Sequence, residues 1–522
     1  MIWTTGGGEN FGTFKVSIYA HRAQAMSAKL PGLSVALRGQ LGFGRVFLYS
    51  VLGAVFWASG AKIFAYRLFG AAKPYAKDNR HFRRVFADLT RALFISCLKQ
   101  SIGSEDGNYL KTKLAEIVQS DPKAAFRQWR ASPPGRALAS ESEIWVRERI
   151  SRSVASRSVL ICSHRNWSFT DRVVDEFRDA DWEVGTLSGR LIPPPFSMTA
   201  SNLFLPSDRP IADANANWTA LMSKLPVDAS RIDKADVLFV DWANEPAIWM
   251  SRMAPPEKRL VVRLHSYEAF SPWVHFIPWG RVDALICVSE HLRAFMDDQL
   301  QLTKTYPHLE QYVVPNWSDP KLWADEKNEE ARHRLIMVGY ANSNKAPILA
   351  IRILEELIRI SPDKEWKLDF VGHEWQSSGL DSEEERYRDQ FFDYLKSETL
   401  RSAISLHKYT DKVGQHFQDA GFVLSASERE SQHMAVVEGA MSGCVPVVRR
   451  WPLGERWNGA AQLYPDALLW ETPHQAAELI HLHSNEDVWH EKRRAARLDA
   501  RYRFSPQVLV PQLSDAVFGL RG

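Results

Sequence analysis

The hydrophobic pattern divides the 522-residue chain into two unequal parts. From about Val154 onward, short apolar runs alternate with stretches of helical period. SVLICS (158–163), DVLFVD (236–241), RLVVRLH (259–265) and DALICVS (283–289) each end in polar residues and lead toward a helix or loop. Runs of this kind, alternating with helices, predict a parallel sheet whose ligand crevice lies at the carboxyl ends of its strands. YVVPNWSD (312–319) reads as a strand followed by an interdomain turn. A second series then begins with the strand HRLIMVGY (333–340) and the amphipathic helix PILAIRILEELIRI. The strands WKLDFVGHE, AISLHKY and GFVLSAS (421–427), the helix MAVVEGAMSG and the strand CVPVV continue it. The expected fold class is α/β, with two Rossmann-like, doubly wound domains and a cleft between them. The first occupies 151–325 and the second 326–505, with a tail, 506–522, placed to pack back on the first domain.

Residues 1–150 read as a basic, helical extension. The run 46–61, VFLYSVLGAVFWASGA, is uncharged. As a helix it is about 24 Å long, short of the ~30 Å hydrocarbon core. Continued to Tyr66 it reaches about 31 Å if Lys62 snorkels. A membrane span over 46–66, an interfacial helix and a buried core helix all stay open. Charge favours a surface partner: through Arg84 there are twelve basic residues and two acids, Glu9 and Asp78. Such a head suits an anionic membrane surface or nucleic acid, or is simply a set of solvated helices, and the basic flank after the run belongs on the cytoplasmic side of a membrane.

Composition is that of a globular chain, 45% hydrophobic and 24% charged. The four cysteines are far apart and show no metal-ligand spacing, which reads as reduced thiols and no structural metal. Asp179 and Asp181 form a D-x-D, but no apolar strand precedes them, so they read as a solvated helix end. No G-x-G-x-x-G follows any strand, which argues against a nicotinamide enzyme.

The chemistry concentrates in SASERESQHMAVVEGAMSGCVPVV (425–448). Glu430 stands in the loop after a strand and Glu438 just over one turn inside the helix that begins near His433. The helix start between them offers free N–H groups and a positive dipole end, a natural diphosphate site. A carboxylate on each side can bind sugar and ribose hydroxyls. Asp241, Trp242, Asn244 and Glu245 follow the strand 236–241 and are acceptor-site candidates at the cleft.

This segment resembles the Glu-x7-Glu motif of family 4 retaining glycosyltransferases, which have the GT-B fold. RESQHMAVVEGAMSGCVPVV is similar in particular to a bacterial subgroup tied to surface polysaccharides, whose motif usually reads Glu-Ser-Phe-His; here Gln432 replaces the Phe and His433 is retained. VGYANSNKAPILAIRILEEL resembles the strand–loop–helix that presents basic residues to the donor diphosphate, with Gly339 and Lys345 matching. The arginine often found after that glycine is Tyr340 here. LDFVGHE, VVPNWSDPKLW and DALICVSEHLRAF agree as well, and RLHS places His265 where the family often has a histidine near the reacting sugar. The early Gly-Gly donor loop is missing, and SHRNWSFT stands in its place.

The resemblance implies a nucleoside diphosphate sugar donor and no metal or other cofactor. It implies that Lys345, Gly339 and the amides of Ser431, Gln432, His433 and Met434 hold the diphosphate. Glu438 would bind ribose and Glu430 the donor sugar, with His265 orienting that sugar. The implied function is retaining transfer to a glycan or lipid-linked acceptor in cell-surface polysaccharide synthesis, at the cytoplasmic face of a bacterial inner membrane, with no nucleic-acid partner. A non-catalytic glycan-binding protein and a nucleotide-sugar isomerase on the same fold are the competing expectations.

Overall fold

The computed structural model describes residues 120–121, 126–149, 157–164, 167–189, 207–225, 229–270, 272–324, 326–376, 382–465 and 467–520. The apolar run 46–66 and the basic head lie outside the described residues. Among those described, no helix is long and apolar enough to cross a membrane, and no cluster of His, Cys, Asp and Glu could hold a metal ion.

Two six-stranded sheets form, with every pairing parallel. The first contains β1 (Ser158–Ser163), β2 (Glu183–Ser188), β3 (Val237–Asp241), β4 (Arg259–Leu264), β5 (Ala284–Cys287) and β6 (Glu310–Val313), in the order β2-β1-β3-β4-β5-β6. The second contains β7 (Arg334–Val338), β8 (Lys367–Gly372), β9 (Ile404–Lys408), β10 (Phe422–Ser425), β11 (Val445–Arg449) and β12 (Leu468–Trp470), in the order β12-β11-β10-β7-β8-β9. Helices cover both faces, so the central strands are apolar on both sides. Leu160, Cys162, Leu238 and Val240 enter one core of the first sheet. Their neighbours Val159, Ile161, Val237 and Phe239 enter the other. That second core also holds Ile336, Val423 and Val436 of the second domain, so one apolar cluster runs through both domains.

Two observations adjust the expected layout. Residues drawn into the extension, Phe126, Trp129 and Leu138, are part of the first domain's core. There the helix Pro133–Arg147 sends Glu141 into a buried ion pair with Arg252 at 3.0 Å. The strand expected at the start of 312–319 is present but begins two residues earlier, as Glu310–Val313, and Pro315 begins the extended crossing to the second domain.

The chain returns after the second sheet. The helix Pro506–Phe518 lies against the first domain, where Phe518 packs on Trp182 with ring centroids 3.5 Å apart. Arg259 of β4 donates to the carbonyls of Ala516 and Val517 at 3.1 and 3.0 Å and pairs with Glu310 at 2.8 Å. A guanidinium there satisfies carbonyls that the helix end leaves unpaired. The outgoing and returning segments touch: Ser318 N–H donates to the Phe504 carbonyl at 3.0 Å.

Candidate active site

In the second sheet β7 and β10 are neighbours, while β8 and β11 continue on opposite sides. The connections therefore diverge, and a crevice opens at the carboxyl ends of β7 and β10. Two loops fill it. After β7, Gly339 turns the chain at φ 76°, and a Cβ there would meet open space within 4 Å, so the limit is backbone conformation rather than room. Asn342 caps the short turn Ser343–Lys345 through its side-chain oxygen, and Lys345 projects from the end of that turn. After β10, the loop carrying Glu430 leads to the helix Met434–Met441. The loops are tied together: Glu428 N–H donates to the Asn344 carbonyl at 2.8 Å, and the Asn344 amide donates to the Arg429 carbonyl at 3.2 Å. The helix sits close on β10, because Gly439 lets it approach to where an added Cβ would lie 2.9 Å from Val423 Cβ.

Lys345 Nζ donates to Glu430 Oε1 at 2.6 Å and lies 3.4 Å from His433 Nε2. Ser427 Oγ donates to the same Glu430 oxygen at 2.7 Å. His433 Nδ1 is 2.8 Å from Ser425 Oγ, which also accepts from the Trp451 indole at 3.2 Å. Burial alone would push the Glu430 carboxyl up, but Lys345, His433 and the two hydrogen bonds hold it at about 2, so it is ionised. Burial, with the Lys345 charge beside it, lowers His433 to about 4, so its ring is neutral. Half-buried Glu438 differs: burial raises its carboxyl to about 7, opposed by Arg172 of the first domain. The arrangement offers one cation, one fixed carboxylate, one carboxylate poised to titrate near neutrality, and a helix N-terminus with unpaired N–H groups.

Tyr340, where the motif's arginine usually stands, is buried against Phe370 and Phe391 with centroids 5.2 and 5.8 Å away, so an aromatic cluster replaces that charge.

In the first domain, His265 follows β4, and its Nε2 is 3.2 Å from Asp241 Oδ1. Asp241 Oδ2 accepts from Thr170 at 2.7 Å, and Arg263 stands 3.8 Å away. Asp241 is completely buried, which corrects its expected place as an acceptor contact: its carboxylate is enclosed beneath His265 and does not face the cleft. Trp242 does stand beside the histidine. Its ring stacks on His265 at 4.1 Å, and its backbone is held at φ 80°, a left-handed conformation that costs a non-glycine residue strain. Asn244 and Glu245 open the next helix, Glu245–Met253, and are half-buried. Burial lowers the His265 pKa although Asp241 opposes this. Beside it Glu268 is fully buried and pushed up to about 8 by that burial, so it is held protonated at neutral pH; sequence pattern gave no sign of it.

The Gln432 side chain has a contact that the sequence did not indicate. Its side-chain oxygen accepts from Asn316 N–H at 2.7 Å and its amide donates to the Asn316 carbonyl at 2.9 Å, so the side chain turns to the interdomain crossing. Two further residues with no role expected from sequence join the domains here. His291 Nε2 is 2.8 Å from the Glu430 carbonyl, and Arg429 reaches Ser266 Oγ at 3.3 Å while lying 4.6 Å above the Phe270 ring.

No protein-family model matches the sequence, and no curated protein matches it. Solved structures do resemble it. A glycosyltransferase from Rickettsia africae is 12% identical, with a TM-score of 0.51 over 70% of this chain and 100% of that one. HepE from Anabaena, solved in complex with UDP, gives the same identity, TM-score and coverage. TarM is 15% identical over 54% of each chain with a TM-score of 0.43, so the chain spans about half the length of that protein. At these identities the likeness is one of fold: the chain has the GT-B fold of two Rossmann-like domains.

Proposed function

We propose that this chain is a retaining glycosyltransferase of the family 4 type. It moves a sugar from a nucleoside diphosphate sugar to a glycan or glycolipid acceptor in cell-surface polysaccharide synthesis. One observation carries the reading: Lys345, Glu430, His433 and the N-terminus of the helix Met434–Met441 converge at the switch point of the second sheet, where a diphosphate and its sugar would be held. Structural neighbours were solved with UDP and with UDP-glucose, which makes a UDP-sugar the first donor to test.

In this reading Lys345 and the helix N-terminus bind the diphosphate. The bond between the anomeric carbon and the leaving oxygen breaks, and its electron pair goes to the diphosphate. Fixed positive groups stabilise the charge that gathers there. The ionised Glu430 holds the sugar on which positive charge develops, Glu438 accepts from ribose hydroxyls, and His265, set by Asp241, orients the sugar from the first domain. The acceptor oxygen forms the new bond on the face the diphosphate leaves, and its proton passes to a departing phosphate oxygen. The charge is carried by Lys345 and backbone amides, so no step assigned here uses a metal. The basic, apolar segment 41–84 would hold the enzyme at the inner face of the cytoplasmic membrane.

The test is a thermal-shift screen over UDP-, GDP- and ADP-sugars, followed by measurement of nucleotide release from any sugar that binds. Stabilisation by one base series, with nucleotide release lost in Glu430→Gln, is expected. Binding of none of them would overturn the reading.

A further inference from the structure

Three residues in a row of four stitch the Glu430 loop to the first domain. Arg429 reaches Ser266, the residue after His265; the Glu430 carbonyl is held by His291; and Gln432 bridges both backbone groups of Asn316. The last contact continues inward. Asn316 Oδ1 accepts from Arg263, which stands 3.8 Å from Asp241, which in turn holds His265 at 3.2 Å. On the other side, Gln432 directly precedes His433, whose ring lies 3.4 Å from Lys345 and so borders the Lys345–Glu430 pair. Every member of this series between Asp241 and Gln432 is less than a tenth exposed. A buried amide making two hydrogen bonds to one residue's backbone fixes both distance and rotation, because a single bond would leave a pivot.

Resting on the glycosyltransferase reading above, we infer that the Gln432 side chain is a positioning group: it sets the register of Glu430 in the second domain against His265 in the first, without itself touching the donor. Transfer needs groups from both domains on one sugar, and their fine relative placement depends on the contacts between the domains. Gln432 supplies one that is buried, doubly bonded and connected to both candidates. The motif that this segment resembles usually carries Phe at this position. A phenyl ring cannot pair with the Asn316 N–H and C=O, so the device belongs to this chain's own sequence.

Two variants test it. Gln432→Leu removes both bonds; Gln432→Glu keeps the shape but turns the donating amide into an oxygen facing the Asn316 carbonyl. Donor affinity is read by calorimetry with the nucleoside diphosphate alone, and turnover by release of that nucleotide from its sugar, with water as acceptor. Because the donor's diphosphate and ribose are assigned to second-domain groups, affinity should stay within about threefold. The nucleotide-release rate should fall about 10- to 100-fold, as expected when reacting groups are misplaced by about an ångström. In a His265→Ala background the same substitution should cost much less, since the partner whose register it sets is gone. Should Gln432→Leu fail to fold, Gln432→Glu carries the comparison.

Unchanged release rates in the folded variants would overturn the inference. So would an equal loss of nucleotide affinity, which would make Gln432 a donor contact, or full additivity with His265→Ala. Glu430→Gln is run beside them. If it abolishes release while the Gln432 variants behave as wild type, only the positioning role falls. If it too releases nucleotide like wild type, the glycosyltransferase reading falls.

Discussion

Lys345 donates to Glu430 across 2.6 Å, so the cation assigned to the donor's diphosphate is held by the carboxylate assigned to its sugar. The pair links the two halves of the donor site before any question of catalysis arises. Replacing Lys345 by Ala should weaken nucleoside diphosphate binding by about 10- to 150-fold, the range for a lost charge-assisted hydrogen bond of roughly 1.5–3 kcal/mol. Binding of the free nucleoside should hardly change. Calorimetry with both ligands checks this, and equal losses would mean that Lys345 acts through folding.

The two glutamates should separate kinetically. Glu430→Gln is expected to lower the rate of sugar transfer with little change in nucleotide affinity, because its partner is where charge develops in the transition state. Glu438→Gln should chiefly weaken nucleotide binding, about tenfold or more. Titration beside single-turnover measurements distinguishes them. Wild-type behaviour in both would leave Glu430 as a structural partner of Lys345 and Glu438 as an ordinary helix residue.

Glu438 also predicts a pH dependence. Its carboxyl is raised to about 7 in the folded chain, above the roughly 4.3 of an unperturbed glutamate. A raised carboxyl stabilises the fold fully below the unfolded value and loses that contribution as pH rises through about 7. Glu438→Gln should therefore gain stability relative to wild type between pH 6 and pH 8, read by urea midpoints. Nucleotide binding should run the opposite way: if the ionised form accepts from ribose, wild-type affinity rises over the same interval. The difference from Glu438→Gln isolates this carboxylate from the phosphate's own titration. A flat difference would remove Glu438 from the ribose site.

The returning helix should be a stability element of the first domain. Phe518 is 3% exposed and lies against Trp182 and Phe177. Phe518→Ala is expected to cost about 3–5 kcal/mol, as for other buried phenylalanines. Denaturant unfolding checks the value, and a loss below about 1 kcal/mol would show that the site refills or that the helix is peripheral.

Removing residues 41–84 should shift the protein from the membrane pellet to the supernatant while nucleotide binding survives. The basis is twelve basic residues against two acids through Arg84, around an uncharged apolar run. A truncated chain that loses its unfolding transition would point to the buried-helix alternative.

Much of the fold was readable because central parallel strands are apolar on both faces. SVLICS coincides with β1 residue for residue, and PILAIRILEELIRI with the helix Pro347–Ile360. Two of the edge strands escaped: β2 buries only Leu187 and β12 is three residues long, so neither shows a continuous apolar run. At the site, Glu430, Lys345 and His433 were legible because two strand–loop–helix units each carry a local pattern. Gln432, His291 and Arg429 were not legible as interdomain contacts, since their partners lie 116, 139 and 163 residues away and no local period encodes such pairings. Nor could sequence tell that Asp241 lies sealed below His265, because a strand-end aspartate reads the same whether it faces solvent or a buried arginine.

The chain crosses between its domains twice, once outward near Ser318 and once back near Phe504, and those two crossings are hydrogen-bonded to each other. A body joined by one thread can turn about it; a second tether, fastened elsewhere on the partner, resists that turn. The second crossing therefore does more than anchor a helix. It places the Phe518 packing and the Arg259 bonds in line with the second domain, so that parting Glu430 from His265 strains two tethers rather than one.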